Sequence, residues 1–286
     1  MRLDVVLPAH NEEGRIDRTL HAYRRGLPDP DTRFWVALDG CRDRTAEVVR
    51  AHACDDGRVG WIELPKLGKG GALMEAFRHA AAAPTDLIAF VDADGATPPA
   101  ELNRLVDAVR RGADGAIASR RHPSACTPGS RPMSRRVTSA GFAFCIRRLF
   151  GVPYSDTQCG AKVLRADVVR RVGPLLSSRD FLFDVDLLVT AGRLGYRLAE
   201  VPTVWIDQAG SRLTAGRDAR RMLWSSLRLW LHHRVIPVEG ASGDRTHVEA
   251  PRTRAVAPTD VVDLAGTPTD VVDLTEAPPR PRRALS

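Results

Sequence analysis

Long apolar runs are missing from this chain: nowhere do its 286 residues approach the roughly 20 consecutive apolar positions that a bilayer-spanning helix needs, so no transmembrane segment is expected. The start holds a single Arg ahead of a short strand-like run, without the apolar stretch and small-residue cleavage site of a secretory leader. Export is not expected. Cysteine is scarce: Cys41, Cys54, Cys126, Cys145 and Cys159 form no C-x-x-C pair, which argues against a disulfide framework or a zinc cluster and fits a reducing cytoplasm. No G-x-G-x-x-G follows the first apolar run and no P-loop spacing occurs anywhere, which sets aside dinucleotide oxidoreductases and nucleotide hydrolases. Lysine is also rare, since only Lys66, Lys69 and Lys162 stand among 42 basic residues.

What is present is positive charge, unevenly placed. The net charge is +7, yet residues 241–286 carry six Arg against seven acids, so residues 1–240 hold 36 basic and 28 acidic side chains. Such an excess implies an anionic partner: nucleic acid, a phosphorylated small molecule or a lipid surface. Charge alone does not choose among them.

The length suits one large α/β domain with a tail. Short apolar runs at residues 3–7 (LDVVL), 34–38 (FWVAL), 59–64 (VGWIEL), 87–91 (LIAFV) and 113–118 (ADGAIA) alternate with helical patterns at 12–25, 45–53, 70–82 and 99–111. That rhythm predicts a mostly parallel sheet flanked by helices, whose ligands sit beyond the carboxyl ends of the strands. Residues 120–150 contain seven Arg and no acid. A helix there places Phe142, Ile146, Leu149 and Phe150 on one face, and a second, over 217–234, groups Leu223, Leu227, Trp230 and Leu231. Each stripe is open to two readings, packing on the sheet or lying on a membrane surface. His232-His233 reads as helix surface. Beyond Pro237 a tandem PTDVVDL repeat in a Pro-, Thr- and Arg-rich stretch predicts a disordered tail over 237–286.

Chemistry concentrates after the strand candidates. FVDADGATPP, residues 90–99, ends a buried strand in Asp92-Ala93-Asp94, and alternate residues at a strand end point the same way. Two such carboxylates suit a hard divalent cation, although a pair of helix caps has the same appearance. Asn11 and Glu12 fall at a helix opening, where capping is an alternative for Asn11. The Gly68-Lys69-Gly70-Gly71 turn is flexible, cationic and suited to phosphates. Gly160 is read as a residue needed for backbone geometry. For Asp184 and Asp186 both capping and a substrate role are open, and as acids two apart they do not share a helix face.

Taken in order, LPAHNEE, LDGCRDRT, LGKGGAL, FVDADGATPP, SRR, DTQCGAKVLR, FLFDVDLL and EVPTVWIDQAGSRLT resemble the family 2 glycosyltransferases of the GT-A fold, and within them the dolichyl-phosphate and polyprenyl-phosphate sugar transferases. The likeness implies a Rossmann-like single domain over 1–236, with a nucleotide-sugar half at 1–120 and an acceptor half at 121–236. By the same likeness Pro8, His10, Glu12 and Asp39 border the nucleotide, with Asp39 on the base. Asp92, next to Ala93, holds the ribose, and Asp94 the metal, Mg²⁺ or Mn²⁺, with Asp92 counted in the same metal pair. Lys69 and Arg120 lie on the donor side. Asp156, Gln158, Lys162 and Ser211 fall to the acceptor side, Arg212 closes over the donor phosphates, and Asp94, Asp184 and Arg212 are the catalytic candidates. The chain departs from many relatives at Leu38-Asp39, Lys66, Asp186 and His10, which weakens any transfer of donor identity.

The implied reaction is a single inverting displacement at the anomeric carbon of a nucleotide diphosphate sugar, UDP-glucose or GDP-mannose. The acceptor is a lipid phosphate at the cytoplasmic membrane face, where the enzyme is peripheral and leaves room for a membrane-embedded partner protein. A lipid phosphate is already largely anionic and needs no strong base. A soluble acceptor such as phosphoglycerate or a carbohydrate does, and Asp156 and Asp184 are then the candidates. An Arg-rich nucleic-acid-binding protein is the remote rival, and it leaves Asp92 and Asp94 without a role; no nucleic-acid partner is expected.

Overall fold

The computed structural model describes residues 1–128, 133–208 and 215–235, with side chains described outside 133–140 and 215–223. Ser211, Arg212 and the expected tail lie outside the described residues. The first part is a series of β/α units: β1 (Leu3–Ala9), α1 (Ile16–Gly26), β2 (Thr32–Asp39), α2 (Thr45–Asp55), β3 (Val59–Leu64), α3 (Lys69–Ala82), β4 (Leu87–Val91), α4 (Pro99–Arg110) and β5 (Gly115–Ser119). Then follow α5 (Met133–Phe150), β6 (Ala161–Arg165), α6 (Ala166–Val172), a short 3₁₀ turn, α7 (Phe183–Arg193), β7 (Leu198–Pro202) and α8 (Ala215–Val235).

All seven strands form one sheet in the order β3-β2-β1-β4-β6-β5-β7. It is mostly parallel, as the alternation predicts, and β6 alone runs antiparallel, against both β4 and β5. Both faces are covered. Val5 and Leu7 point into one core with Leu20, Tyr23 and Leu102 of α1 and α4, whereas Val6 and Phe90 join Leu73 and Phe77 of α3 and Phe183 of α7 on the other side. Strands buried on both faces read as continuous apolar runs, which is why LIAFV, buried throughout, carries no polar alternation.

Two differences from the sequence expectation have local causes. The helix expected from residue 12 starts at Ile16, because Asn11 adopts a left-handed backbone (φ 54°) and its Oδ1 accepts the Arg42 N–H at 2.8 Å. Asn11 therefore ties two loops together and does not cap the helix. The AKVLR run, which is not among the strand candidates read from the sequence, is strand β6, inserted between β4 and β5.

Candidate active site

The reversed direction of β6 builds the site. Val91, the last residue of β4, pairs with Ala161, the first of β6, so the loop ahead of β6 arrives where β4 ends. The Asp92 N–H donates to the Gly160 carbonyl at 3.0 Å, and a Cβ on Gly160 would overlap the Asp92 carboxylate. Gly160 is not among the glycines with positive φ. What it supplies is room, not the special backbone geometry the sequence suggested.

Beyond Asp92 the chain turns at Gly95 (φ 75°), and the Ala96 N–H donates to Asp94 Oδ1 at 3.0 Å. Ala93 is buried and its carbonyl accepts the Thr19 hydroxyl at 3.0 Å, fixing the turn. Burial first, and then the charge of Asp92, raise the Asp94 carboxyl above its ordinary range. A bound cation would relieve that strain, and an all-oxygen donor pair suits Mg²⁺ or Mn²⁺. Among the described residues no cluster of three or more His, Cys, Asp or Glu could hold a metal. Asp92 and Asp94 by themselves fit two places in the oxygen shell of such a cation.

Two of the three lysines converge here. Lys69, the first residue of α3, places Nζ 2.7 Å from Asp92 Oδ1 and 3.9 Å from Asp184 Oδ2. Burial alone would lower its ammonium pKa, but Asp92 and Asp184 override that and raise it. Lys162 is fully buried. Its Nζ donates to the Cys159 carbonyl at 2.9 Å and to Asp184 Oδ1 at 2.5 Å, over the ring of Phe90 at 5.1 Å. The residue expected at the acceptor thus reaches the site through Asp184. Burial also pushes the Cys159 thiol up to about 12, so it offers no thiolate nucleophile at neutral pH.

Asp39, one of the residues expected at the nucleotide, is buried at the end of β2. Its oxygens accept Lys66 Nζ at 2.7 Å, the Leu67 N–H at 2.5 Å and the Gly68 N–H at 3.1 Å. Asp39 thereby clamps the loop that delivers Lys69. His10 Nδ1 lies 2.7 Å from the Asp39 carbonyl. The Glu12 N–H donates to Thr45 Oγ1 at 2.8 Å, and its carboxylate takes the Arg15 Nε at 2.7 Å. Pro8, half-buried, pairs with Ala37 across β1 and β2, so Pro8, His10, Glu12 and Asp39 gather at one rim of the sheet.

Across the sheet, Arg120 follows β5 and grips Asp156 with Nε (2.7 Å) and a terminal guanidinium nitrogen (2.9 Å) while lying over Trp205 at 4.8 Å. Burial would raise the Asp156 carboxyl, but the hydrogen bonds and charge of Arg120 hold it below its ordinary value. Glu200 accepts the Ser155 N–H at 2.9 Å and the Asp156 N–H at 3.2 Å. Gln158 donates its backbone N–H to Asp156 Oδ1 at 3.2 Å and its side-chain amide to the Phe181 carbonyl at 3.3 Å.

Neither acid of FDVD caps α7; the N-cap is Leu182, and its N–H is taken by Asp180 Oδ1 at 2.8 Å. Asp184 and Asp186 are both buried and serve separate networks. Asp186 accepts His233 Nε2 from α8 at 2.8 Å and the N–H groups of Ser177 and Ser178 at 2.7 and 2.8 Å. His233 is therefore an anchor, and its reading as helix surface is corrected. Sequence reasoning assigned no role to Glu200 or Trp205, although both stand in the EVPTVW string it quoted; a carboxylate and an aromatic at a strand end were the available signal.

The two surface helices resolve differently. On α5, Phe142, Ile146 and Phe150 of the expected stripe turn inward to the core, whereas Leu149 and Phe144 are exposed. Among the described side chains of α8, which do not include Leu223, Ser226 and Leu229 are buried, and the apolar residues Trp224, Leu227, Leu231 and Val235 face out, at 70%, 41%, 50% and 76% exposure. Arg228 is exposed on the same helix and Arg234 packs 4.3 Å over Trp230. Among the described residues no helix is long and apolar enough to cross a membrane.

Comparison with known proteins agrees with this geometry. The chain is 31% identical over 214 residues to the undecaprenyl-phosphate mannosyltransferase of Micrococcus luteus, covering 73% of this chain and 85% of that one. It is 31% identical over 252 residues to a dolichyl-phosphate beta-glucosyltransferase of Drosophila melanogaster, covering 82% and 76%. Glycosyltransferase AglD of Haloferax volcanii is 32% identical over 83% of this chain, which spans only 38% of that longer relative. The fold matches glucosyl-3-phosphoglycerate synthase of Mycobacterium tuberculosis, solved with Mn²⁺, UDP-glucose and phosphoglyceric acid, at a TM-score of 0.61 and 20% identity over 84% of this chain and 82% of that one. Residues 4–173 match the model of glycosyl transferase family 2, and with the mostly parallel sheet and the Asp92/Asp94 rim in place, the chain belongs to that family.

Proposed function

We propose that this chain is an inverting hexosyltransferase that moves a hexose from a nucleotide diphosphate sugar, UDP-glucose or GDP-mannose, to a polyprenyl phosphate at the cytoplasmic face of a membrane. The observation that carries the reading is the Asp92/Asp94 pair at the open end of β4, with Asp94 raised by burial and by its neighbour. When bound there, Mg²⁺ or Mn²⁺ supplies positive charge for the departing nucleotide diphosphate. Lys69, at the start of α3, stands beside the pair to add a second cation. Pro8, His10, Glu12 and Asp39 shape the rim that receives the nucleoside, Asp39 through the loop it clamps. In this reading Arg212 serves the donor phosphates and Ser211 the acceptor, and both lie outside the described residues.

The acceptor class follows from the carboxylates. A hydroxyl acceptor, as in the soluble alternative, needs a general base. Both candidates are engaged: Asp156 by the two-pronged grip of Arg120 and Asp184 by Lys162. A phosphate acceptor is anionic at neutral pH and needs no base, which favours it here. The outward apolar stripe of α8 with its Arg residues supports a peripheral seat on an anionic bilayer, next to such a lipid.

The test is incubation of the protein with radiolabelled nucleotide sugars, Mn²⁺ or Mg²⁺ and polyprenyl phosphate, followed by solvent extraction. The expected result is label in the organic phase for wild type and near-complete loss for Asp94→Ala. Equal incorporation by both proteins refutes the metal role, and label transferred only to phosphoglycerate or sugar refutes the lipid acceptor.

A further inference from the structure

Lys69 occupies an unusual place. Its ammonium sits 2.7 Å from Asp92, one of the two carboxylates of the cation site, and a second carboxylate, Asp184, waits 3.9 Å away on its other side. Asp184 is not free to leave. Lys162 holds its Oδ1 at 2.5 Å from inside the core, so that Oδ2 faces Lys69. Lys69 is also held at its backbone end, since it opens α3 directly after the Leu67 and Gly68 N–H groups that Asp39 clamps. Gly70 and Gly71 then pack under the loop ahead of α7, where the Gly71 N–H donates to the Arg179 carbonyl at 3.0 Å and a Cβ on Gly70 would collide with that backbone. The stem of Lys69 is thus fixed while its tip has two carboxylates to choose between.

A hard divalent cation takes about six oxygen ligands, and the protein offers it two carboxylates, one of them already paired. A tethered ammonium acts at an effective concentration on the millimolar scale. A cation arriving alone must therefore displace Lys69 from Asp92 with only water to fill the rest of its coordination shell. A cation arriving with a diphosphate meets neither obstacle, because the diphosphate brings oxygens for the cation and for the ammonium, and Asp184 offers the ammonium a second resting place.

We propose that Lys69 is a built-in counter-ion that keeps Asp92 from taking a divalent cation on its own and, by exchanging Asp92 for Asp184 and the diphosphate, makes cation and nucleotide bind as a pair. Asp184 and Lys162 are then positioning residues for that exchange. The inference rests on the assignment of the cation to Asp92 and Asp94, and the experiment separates the two.

Calorimetric titration of the full chain with Mn²⁺ alone, with UDP or GDP alone, and with Mn²⁺ in the presence of each nucleotide measures the coupling without turnover. Wild type is expected to bind Mn²⁺ weakly alone and more tightly with the matching nucleotide, by a factor in the usual range of about 5 to 150. Lys69→Met is expected to bind Mn²⁺ alone several-fold more tightly and to lose most of the coupling, whereas Lys69→Arg, which keeps the charge, retains it. Thermal melts confirm that each variant is folded. Unchanged or weaker binding of Mn²⁺ alone by Lys69→Met overturns the inference, as does a wild type whose Mn²⁺ affinity ignores both nucleotides. Asp94→Asn distinguishes the causes: if it abolishes Mn²⁺ binding while Lys69→Met changes nothing, only the counter-ion role fails; if it leaves Mn²⁺ binding intact, the cation site itself is misassigned.

Discussion

Asp94 and Asp156 stand at the rim of one sheet and are treated in opposite ways. Asp94 is raised by burial and by the like charge of Asp92, whereas Asp156, more deeply placed, is lowered by the grip of Arg120. Asp184 and Asp186 side with Asp156, each buried against a cation or a His of the chain itself. The lesson is one of charge accounting. Carboxylates that the chain neutralises internally act as scaffold, and the carboxylate left in tension marks where a ligand's charge is awaited.

The contrast can be broken from either side. Arg120→Met leaves Asp156 buried without its partner, and the expected cost is about 3–5 kcal/mol of stability, read as a lowered denaturant midpoint with an unchanged slope. A loss below about 1 kcal/mol, within the range of exposed ion pairs, would remove Asp156 from the scaffold group. Asp94→Asn is expected to behave in reverse. Transfer activity falls by about 10²–10³-fold, yet the melting temperature holds or rises, because neutralising a carboxyl whose folded pKa is raised relieves strain at neutral pH.

A gentler probe is Gly160→Ala, which displaces Asp92 without changing any charge. A shift of about 1 Å is expected to cost up to about 10²-fold in turnover, with the fold intact by circular dichroism. Full activity in this variant would mean that Asp92 has space the structure does not give it. The smallest effect is on pH dependence. Asp156 and Asp186 have folded pKa values below the ordinary carboxylate value, so their contribution is complete above that ordinary range and disappears as pH falls through the lowered values. Urea midpoints measured toward acid should fall below the ordinary carboxylate range, and Arg120→Met should flatten part of that slope.

Much of this molecule was legible in its residues. The β/α alternation gave β1 to β5 and α1 to α4 to within a few residues, because apolar runs and helical periodicity are local signals. Asp92-Ala93-Asp94 could be found because two carboxylates follow a continuous apolar run, although β4 ends at Val91 and the pair lies in the turn beyond it. The AKVLR run was different: a five-residue segment with a Lys at its second position and an Arg at its end carries no mark of the strand it will pair with, and its antiparallel insertion between β4 and β5 depends on contacts far along the chain.

By itself, then, the sequence determined the parallel strands β1 to β5 and the acids that stand beyond the carboxyl end of β4, since these follow from short-range periodicity and chain direction. Only the tertiary structure decided which charges meet. It sent Lys162 inward to Asp184 and Lys69 across to Asp92, turned the apolar stripe of α8 outward and drew His233 onto Asp186. The physical reason is that an ion pair is chosen by distance and burial, and neither is a property of any stretch of sequence taken alone.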